Sequence, residues 1–233
     1  MVNDKYSTAP QRVLFVSIHP DDETFGCGGT ILWHKNNGDA IYWLNLTGPT
    51  PNHPYGFTND VINKRENQLS LINQAYGFKQ FINLPFPTQM LETVEQRILV
   101  GSISKAYADI KPDVLYLPNR SDIHSDHRAG FAALFAAAKS FRSPYIKKIL
   151  MYETLSETEF APALSENAFI PNSWVDISVW FERKLEIINI YDTEVMPDPY
   201  PRSIHAVKGL GAFRGSRICV SYAEAFVQIF ETR

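Results

Sequence analysis

An apolar run, Arg12-Val13-Leu14-Phe15-Val16-Ser17-Ile18, stops at His19-Pro20-Asp21-Asp22-Glu23, and a glycine-rich stretch from Thr24 to Ile31 follows. The run has the length and continuous apolarity of a buried strand, and the segment beyond Gly29 reads as a helix. The turn between them carries a histidine and three acids. In an open α/β sheet, ligands bind just beyond the carboxyl ends of the strands. Pro20 fixes its own φ, which holds the flanking side chains in place. One acid at such a turn is ordinary, because a carboxylate suits a helix N-terminus. Three acids and a histidine ask for chemistry as well.

The strand–turn–helix rhythm continues. Further strands are predicted at 40–46, 81–84, 113–117 and 148–152, with helices at 30–37, 59–76 (stopped by Gly77), about 91–110 and 129–139. Two loops, 47–58 and 85–89, leave the carboxyl ends of the second and third strands. A loop as long as the first is uncommon unless it is functional. Strands alternating with helices predict an α/β fold: a Rossmann-like, mostly parallel sheet with helices on both faces. This core covers about residues 1–153. Beyond it the pattern turns irregular at 156–172. A strand at 174–178, helices at 179–191 and 203–214, and a last strand at 217–222 are then expected. No linker-like composition separates the two parts, so one domain over 1–233 is predicted, with residues from about 154 to 233 forming a C-terminal cap of mixed structure.

Composition narrows the partners. The chain has 233 residues, 45% hydrophobic and 20% charged, which is a globular balance with ample material for a core. Its formal net charge of −3 argues against nucleic acid or an anionic membrane as partner. Cys27 and Cys219 stand in no metal or redox spacing and read as free thiols of a reducing compartment. The first eleven residues are polar, and no run reaches transmembrane length, so a cytoplasmic location is expected.

A second cluster, His124-Ser125-Asp126-His127, also follows a predicted strand and opens a helix. In a parallel sheet such turns share one edge, so the two clusters are expected to meet. His19, Asp22 and His127 then form a two-histidine, one-carboxylate set of the kind that suits Zn²⁺ hydrolysis or non-haem Fe²⁺. The Gly26-x-Gly28-Gly29 spacing hints at a dinucleotide fingerprint. However, position 31 is Ile, and the preceding acids would repel a pyrophosphate.

In these motifs the chain resembles the PIG-L (LmbE-like) metal-dependent N-deacetylases. The resemblance is carried by the His19–Glu23 turn with Gly26-Cys27-Gly28-Gly29-Thr30, and by Asp122-Ile123-His124-Ser125-Asp126-His127. It extends through Pro171-Asn172 and Val175-Asp176-Ile177 to Tyr222-Ala223-Glu224-Ala225-Phe226. It implies His19, Asp22 and His127 as ligands of one divalent metal, Zn²⁺ first and Fe²⁺ as the alternative. Asp21 would be the general base, His124 would assist the tetrahedral intermediate and Asp126 would orient a histidine partner. The implied substrate is a small N-acetylglucosamine-type amino sugar or a conjugate of one.

The residue types suit that chemistry, since a carboxylate beside a metal ligand can move protons and an imidazolium can donate to an oxyanion. Asp126 would favour the charged form of His124, and Glu23 would serve the helix start. The family often carries an Arg-x-x-Glu pair where this chain has Arg65 and Gln68, and some relatives carry an Asp where it has Phe86-Pro87-Thr88-Gln89. Arg65 and Arg120 are the substrate-binding candidates, and His53 is a candidate for the rim. Two rivals remain on the residues: a metal-dependent phosphoesterase, and a non-catalytic metal- or sugar-binding protein. Assembly into a homo-oligomer is left open.

Overall fold

The computed structural model describes residues 9–232. Residues 1–8, part of the polar stretch behind the location argument, lie outside the described residues. Seven strands form one sheet in the order β3-β2-β1-β4-β5-β7-β6. They are β1 (Arg12–Ser17), β2 (Ala40–Gly48), β3 (Gln80–Pro87), β4 (Val114–Pro118), β5 (Lys148–Tyr152), β6 (Ser173–Asp176) and β7 (Ala223–Glu231). The helices are α1 (Asp22–Asn36), α2 (Asn59–Tyr76), α3 (Gln96–Ile110), α4 (Ser125–Ala137), α5 (Phe181–Ile188) and α6 (Ile204–Ser216). Strands β1 to β5 pair in parallel, while β7 runs antiparallel to both β5 and β6.

The unbroken apolarity of β1 follows from its central position. Leu14 and Val16 face one core with Leu44, Leu115, Ile103 and Leu134. Val13 and Phe15 face the other with Ile31, Trp43, Ile72 and Tyr76. Burying a large apolar side chain contributes about 1.5–3 kcal/mol, so a strand covered on both sides is apolar from Val13 to Val16, and its buried Ser17 donates to Asn45 Oδ1 and accepts from Trp43 Nε1. Helix α2 starts at Thr58, whose hydroxyl accepts from the Val61 N–H, and ends at Gly77 with φ 69°, a left-handed conformation that glycine adopts freely.

Several boundaries differ from the sequence expectation: β3 runs on to Pro87 through most of the expected 85–89 loop, α4 opens at Ser125 rather than 129, and α5 spans only Phe181–Ile188. Helix α1 begins at Asp22 and runs through all three glycines. A Cβ at Gly26 would lie 2.2 Å from the Tyr152 ring, and one at Gly29 would lie 2.6 Å from Ile177. These glycines therefore serve helix–sheet packing. The expected 91–110 helix is a short 3₁₀ turn at Leu91–Thr93 followed by α3. The last strand lies at Ala223–Glu231, beyond the expected 217–222. The C-terminal part is therefore more than a cap, because β6 and β7 extend the same sheet.

Among the described residues, no helix is long and apolar enough to cross a membrane.

Candidate active site

The chain lays β2 and β3 on one side of β1 and then returns to lay β4 on the other, where Val13, Leu14 and Phe15 pair with Val114, Leu115 and Tyr116. The segments leaving β1 and β4 therefore diverge at a switch point, the usual place for a ligand in such a sheet. The turn after β1 carries His19 to Glu23, and the segment after β4 carries Asp122 to His127. Asp22 shapes its own turn, with Oδ2 accepting from the N–H groups of Ile18 and His19, each at 2.9 Å.

The two clusters meet. His127 Nε2 lies 3.3 Å from His19 Nδ1 and 3.4 Å from Asp22 Oδ2. His19, Asp22 and His127 each offer a ligand atom, all within 4.8 Å of one another. The outer nitrogen of each ring faces a buried carboxylate. His127 Nδ1 is 2.8 Å from Asp122 Oδ2, and His19 Nε2 is 2.9 Å from Asp126 Oδ2. Carboxylates in those positions fix the tautomer and leave the inner nitrogens as lone-pair donors. Two imidazole nitrogens and a carboxylate oxygen converge on one point, where a divalent cation can take the place of a proton held between His127 and Asp22. The donor set therefore fits a metal. Burial works to lower the His127 pKa, but Asp22 and Asp122 overcome it and push it up to about 9.

Asp21 sits beside this point with φ 137°. Its carboxylate accepts from Arg202 Nη1 at 3.0 Å, and the same nitrogen donates to Glu194 Oε2 at 3.0 Å. Arg65 donates to the other Glu194 oxygen and, at 3.2 Å, to the Pro20 carbonyl. Positive and negative groups thus alternate along Arg65, Glu194, Arg202 and Asp21. Burial, then Asp22 and Glu194, raise the Asp21 pKa well above the carboxylate range, against the pull of Arg202 and Arg65. A carboxyl shifted in that direction is better matched to accepting a proton near neutral pH.

Asp126 has His19 as its hydrogen-bonded histidine partner. Its carboxylate accepts from the N–H groups of Gln89 (2.6 Å) and Leu91 (2.8 Å) and pairs with His19, while an atom of the His124 ring lies within 4.8 Å of it. The His124 ring caps α4, with Nδ1 accepting from the Asp126 N–H at 3.1 Å. Burial first, and then neighbouring His19, pull its pKa down to about 4, so the neutral ring replaces the expected imidazolium.

Glu23 also departs from a simple helix-start role. It is fully buried, accepts from Tyr191 and Thr24 hydroxyls at 2.9 and 2.8 Å, and is pushed up to about 7 by burial.

A cavity of about 280 Å³ opens over the cluster, lined by His19, Asp21, His124, Arg65, Arg202 and Phe57 among others. Arg65 reaches it. Arg120 does not: it is exposed and donates to the Glu166 carbonyl, because the segment after β4 turns it away. His53 pairs with the Thr88 carbonyl at 2.7 Å and braces the loop after β2. Sequence reasoning assigned no role to Asp122, Glu157, Glu194 or Arg202. Asp122 stood inside a quoted motif, but the other three had no local signal, since only the fold carries them to the switch point.

An α/β sheet with a histidine–carboxylate cluster at its switch point defines a Rossmann-like protein with a candidate divalent-metal centre. The chain belongs to the PIG-L family, whose model, described as GlcNAc-PI de-N-acetylase, matches residues 14–138. A diacetylchitobiose deacetylase of Thermococcus kodakarensis is 26% identical over 222 residues, covering 87% of this chain and 79% of that protein. The conserved protein TT1542 of Thermus thermophilus superposes with a TM-score of 0.75 at 24% identity over 96% of both chains. A 4-carboxy-2-hydroxymuconate hydratase of Pseudomonas putida superposes with a TM-score of 0.67 at 16% identity, covering 95% of this chain and 97% of that one. These two structural likenesses establish the fold. With a hydratase among them, the fold alone does not select the reaction.

Proposed function

We propose that this protein is a metal-dependent N-deacetylase that hydrolyses the acetamide of an N-acetylglucosamine-type sugar or its conjugate. One observation carries the reading: the nitrogens of His19 and His127 converge with an oxygen of Asp22, and Asp21 stands beside them. The family match and the diacetylchitobiose deacetylase relative support the acetamide and the sugar. A divalent ion in this set would polarise the acyl carbonyl and make water nucleophilic near neutral pH. Zn²⁺ and Fe²⁺ both accept such ligands.

The chain's own groups supply the rest. Asp21 takes the proton from the attacking water and returns one to the nitrogen as the C–N bond breaks, giving acetate and the free amine. Arg202 holds the Asp21 carboxylate in position. His124, with Nδ1 committed to the Asp126 N–H, presents Nε2 as the donor for the developing oxyanion. Asp122 and Asp126 keep the two metal-facing imidazoles in their working tautomers. Cys27 and Cys219 are free, and Cys219 is exposed, which supports a reducing, cytoplasmic setting.

The test is acetate release by metal-loaded protein from N-acetylglucosamine, its oligomers and its glycosides. Asp21→Asn is expected to keep the metal and lose on the order of 10²–10⁴ in turnover. Unchanged turnover in that variant would remove Asp21 from the mechanism. Release from no acetamide, with phosphate esters cleaved instead, would favour the phosphoesterase.

A further inference from the structure

One short stretch after α5 reaches Asp21 from two directions. The chain turns there, and the N–H groups of Glu194 and Val195 return to the Tyr191 carbonyl at 2.8 and 3.2 Å. That turn fixes Tyr191 and Glu194 relative to each other. The Tyr191 hydroxyl donates to Glu23 Oε1 at 2.9 Å, and Glu23 Oε2 accepts the Asp21 N–H at 3.3 Å. Asp192 accepts from Lys64 Nζ and Gln68 Nε2 of α2, each at 2.8 Å. Glu194 accepts from Arg65 through one oxygen and from Arg202 Nη1 through the other, and the same Arg202 nitrogen donates to Asp21.

The two routes end on different atoms of one residue. The route through Tyr191 and Glu23 ends on the Asp21 N–H, and the route through Glu194 and Arg202 ends on its carboxylate. Asp21 needs such support, because its φ of 137° persists only where the surroundings impose it. Arg202 is a long side chain with much rotamer freedom to lose, so it must itself be held before it can hold Asp21. Glu194 does this by accepting from two guanidinium groups at once. The side chains of Arg65, Glu194 and Arg202 are each about 20% exposed or less, and all three line the cavity. A glutamine at 194 would keep one acceptor and present an NH₂ donor to a guanidinium that can only donate. It could not hold both arginines.

We propose that Glu194 and Tyr191 are positioning residues for Asp21, Glu194 setting the carboxylate through Arg202 and Tyr191 setting the backbone through Glu23. The proposal rests on the deacetylase reading, in which Asp21 moves the protons, and concerns how the chain aims that group. The side-chain hydrogen bonds of Glu194 and Tyr191 go to neither His19, Asp22 nor His127, so metal content and Tm serve as controls.

The test compares Glu194→Gln and Tyr191→Phe with Asp192→Asn, in acetate release from N-acetylglucosamine and its oligomers by metal-loaded protein. Asp192 belongs to the same stretch, but its side chain is 59% exposed and bonds only to α2, and an exposed pair of this kind contributes little. Glu194→Gln is expected to lose about 10- to 100-fold in kcat with KM within about threefold, the scale of a reacting group displaced by about 1 Å. Tyr191→Phe should lose about 3- to 30-fold in the same manner, by the loss of one hydrogen bond to a carboxylate, and Asp192→Asn should stay within about twofold. If Glu194→Gln does not fold, Tyr191→Phe decides. In an Asp21→Asn background both losses should vanish, since the residues act through Asp21. Unchanged kcat in a folded variant strikes that residue from the proposal, and losses that persist in the Asp21→Asn background overturn both. If wild type releases no acetate, the deacetylase reading fails, and crystal structures of the metal-loaded proteins decide the positioning. An Asp21 carboxylate displaced by about 1 Å or more in Glu194→Gln and in place in Asp192→Asn supports it, and one unmoved in Glu194→Gln and Tyr191→Phe overturns it.

Discussion

Asp21 occupies φ 137°, ψ −28°, a region that non-glycine residues enter only when their surroundings hold them there, at about 1–3 kcal/mol. Its N–H reaches Glu23 Oε2 at 3.3 Å and its carboxylate meets Arg202 in the cavity lining, so the side chain is held there at a cost in backbone energy. Comparing two truncations isolates that cost. Asp21→Gly is expected to be more stable than Asp21→Ala by about 1 kcal/mol or more in thermal unfolding, the reverse of the order at an ordinary position. Ala equal to or above Gly would mean the backbone there is unstrained.

Glu157 has a different signature at the same scale. Burial, helped by Asp22 and Asp122 against His127, raises its pKa from 4.5 to about 7. The folded state therefore holds a proton that the unfolded state has released. The stability this contributes is complete below about 4.5 and is lost as pH rises through about 7. In metal-free protein, wild-type Tm should fall relative to Glu157→Gln across that window. Parallel curves would contradict the shift.

At the scale of elements, the buried pair Lys184–Glu224 ties α1, α5 and β7 together. Lys184 Nζ donates to Glu224 Oε1 and to the Phe25 carbonyl, each at 2.7 Å, and Glu224 also accepts from the Gly29 and Thr30 N–H groups. Both side chains are about 5% exposed. Removing one partner of a buried pair strands the other charge and costs about 3–5 kcal/mol. For a chain of this size, Lys184→Met is therefore expected to lower Tm by roughly 6–20 °C. Lys184→Met/Glu224→Gln should recover part of that loss.

The same region shows why element boundaries were partly hidden in the sequence. The strands β1, β2 and β5 and helix α2 announce themselves through apolar runs and end signals. Ile218-Cys219-Val220 looks like strand. Yet Val220 N–H returns to the Gly215 carbonyl at 3.1 Å and Cys219 sits at φ 59°, which closes a turn after α6. Gly26, Gly28 and Gly29 argue locally against helix, and tertiary contact with Tyr152 and Ile177 overrides that propensity.

For the whole molecule, the candidate site is an agreement between segments that are far apart in the chain. His19 and Asp22 leave β1, His127 opens α4, and β1 pairs with β4 between them. The two histidine–carboxylate motifs were readable because each concentrates its chemistry within a few residues. Arg202, Glu194 and Glu157 were not, because their meaning comes only from the return of the C-terminal segment to the switch point.

That architecture predicts how metal removal acts. On the proposed metal reading, a cation shared by the turn after β1 and the start of α4 would bind the folded chain alone and stabilise it by about 2.7 kcal/mol when present at 100 times its Kd. For a chain of this size that is a Tm difference of roughly 5–11 °C between Zn²⁺-loaded and chelator-treated protein. His127→Ala should lose most of this metal-dependent increment, while Arg120→Ala, which alters a residue outside the cavity, should retain all of it. An equal increment in wild type and His127→Ala would place the stabilising metal elsewhere and dissolve the link between the two motifs.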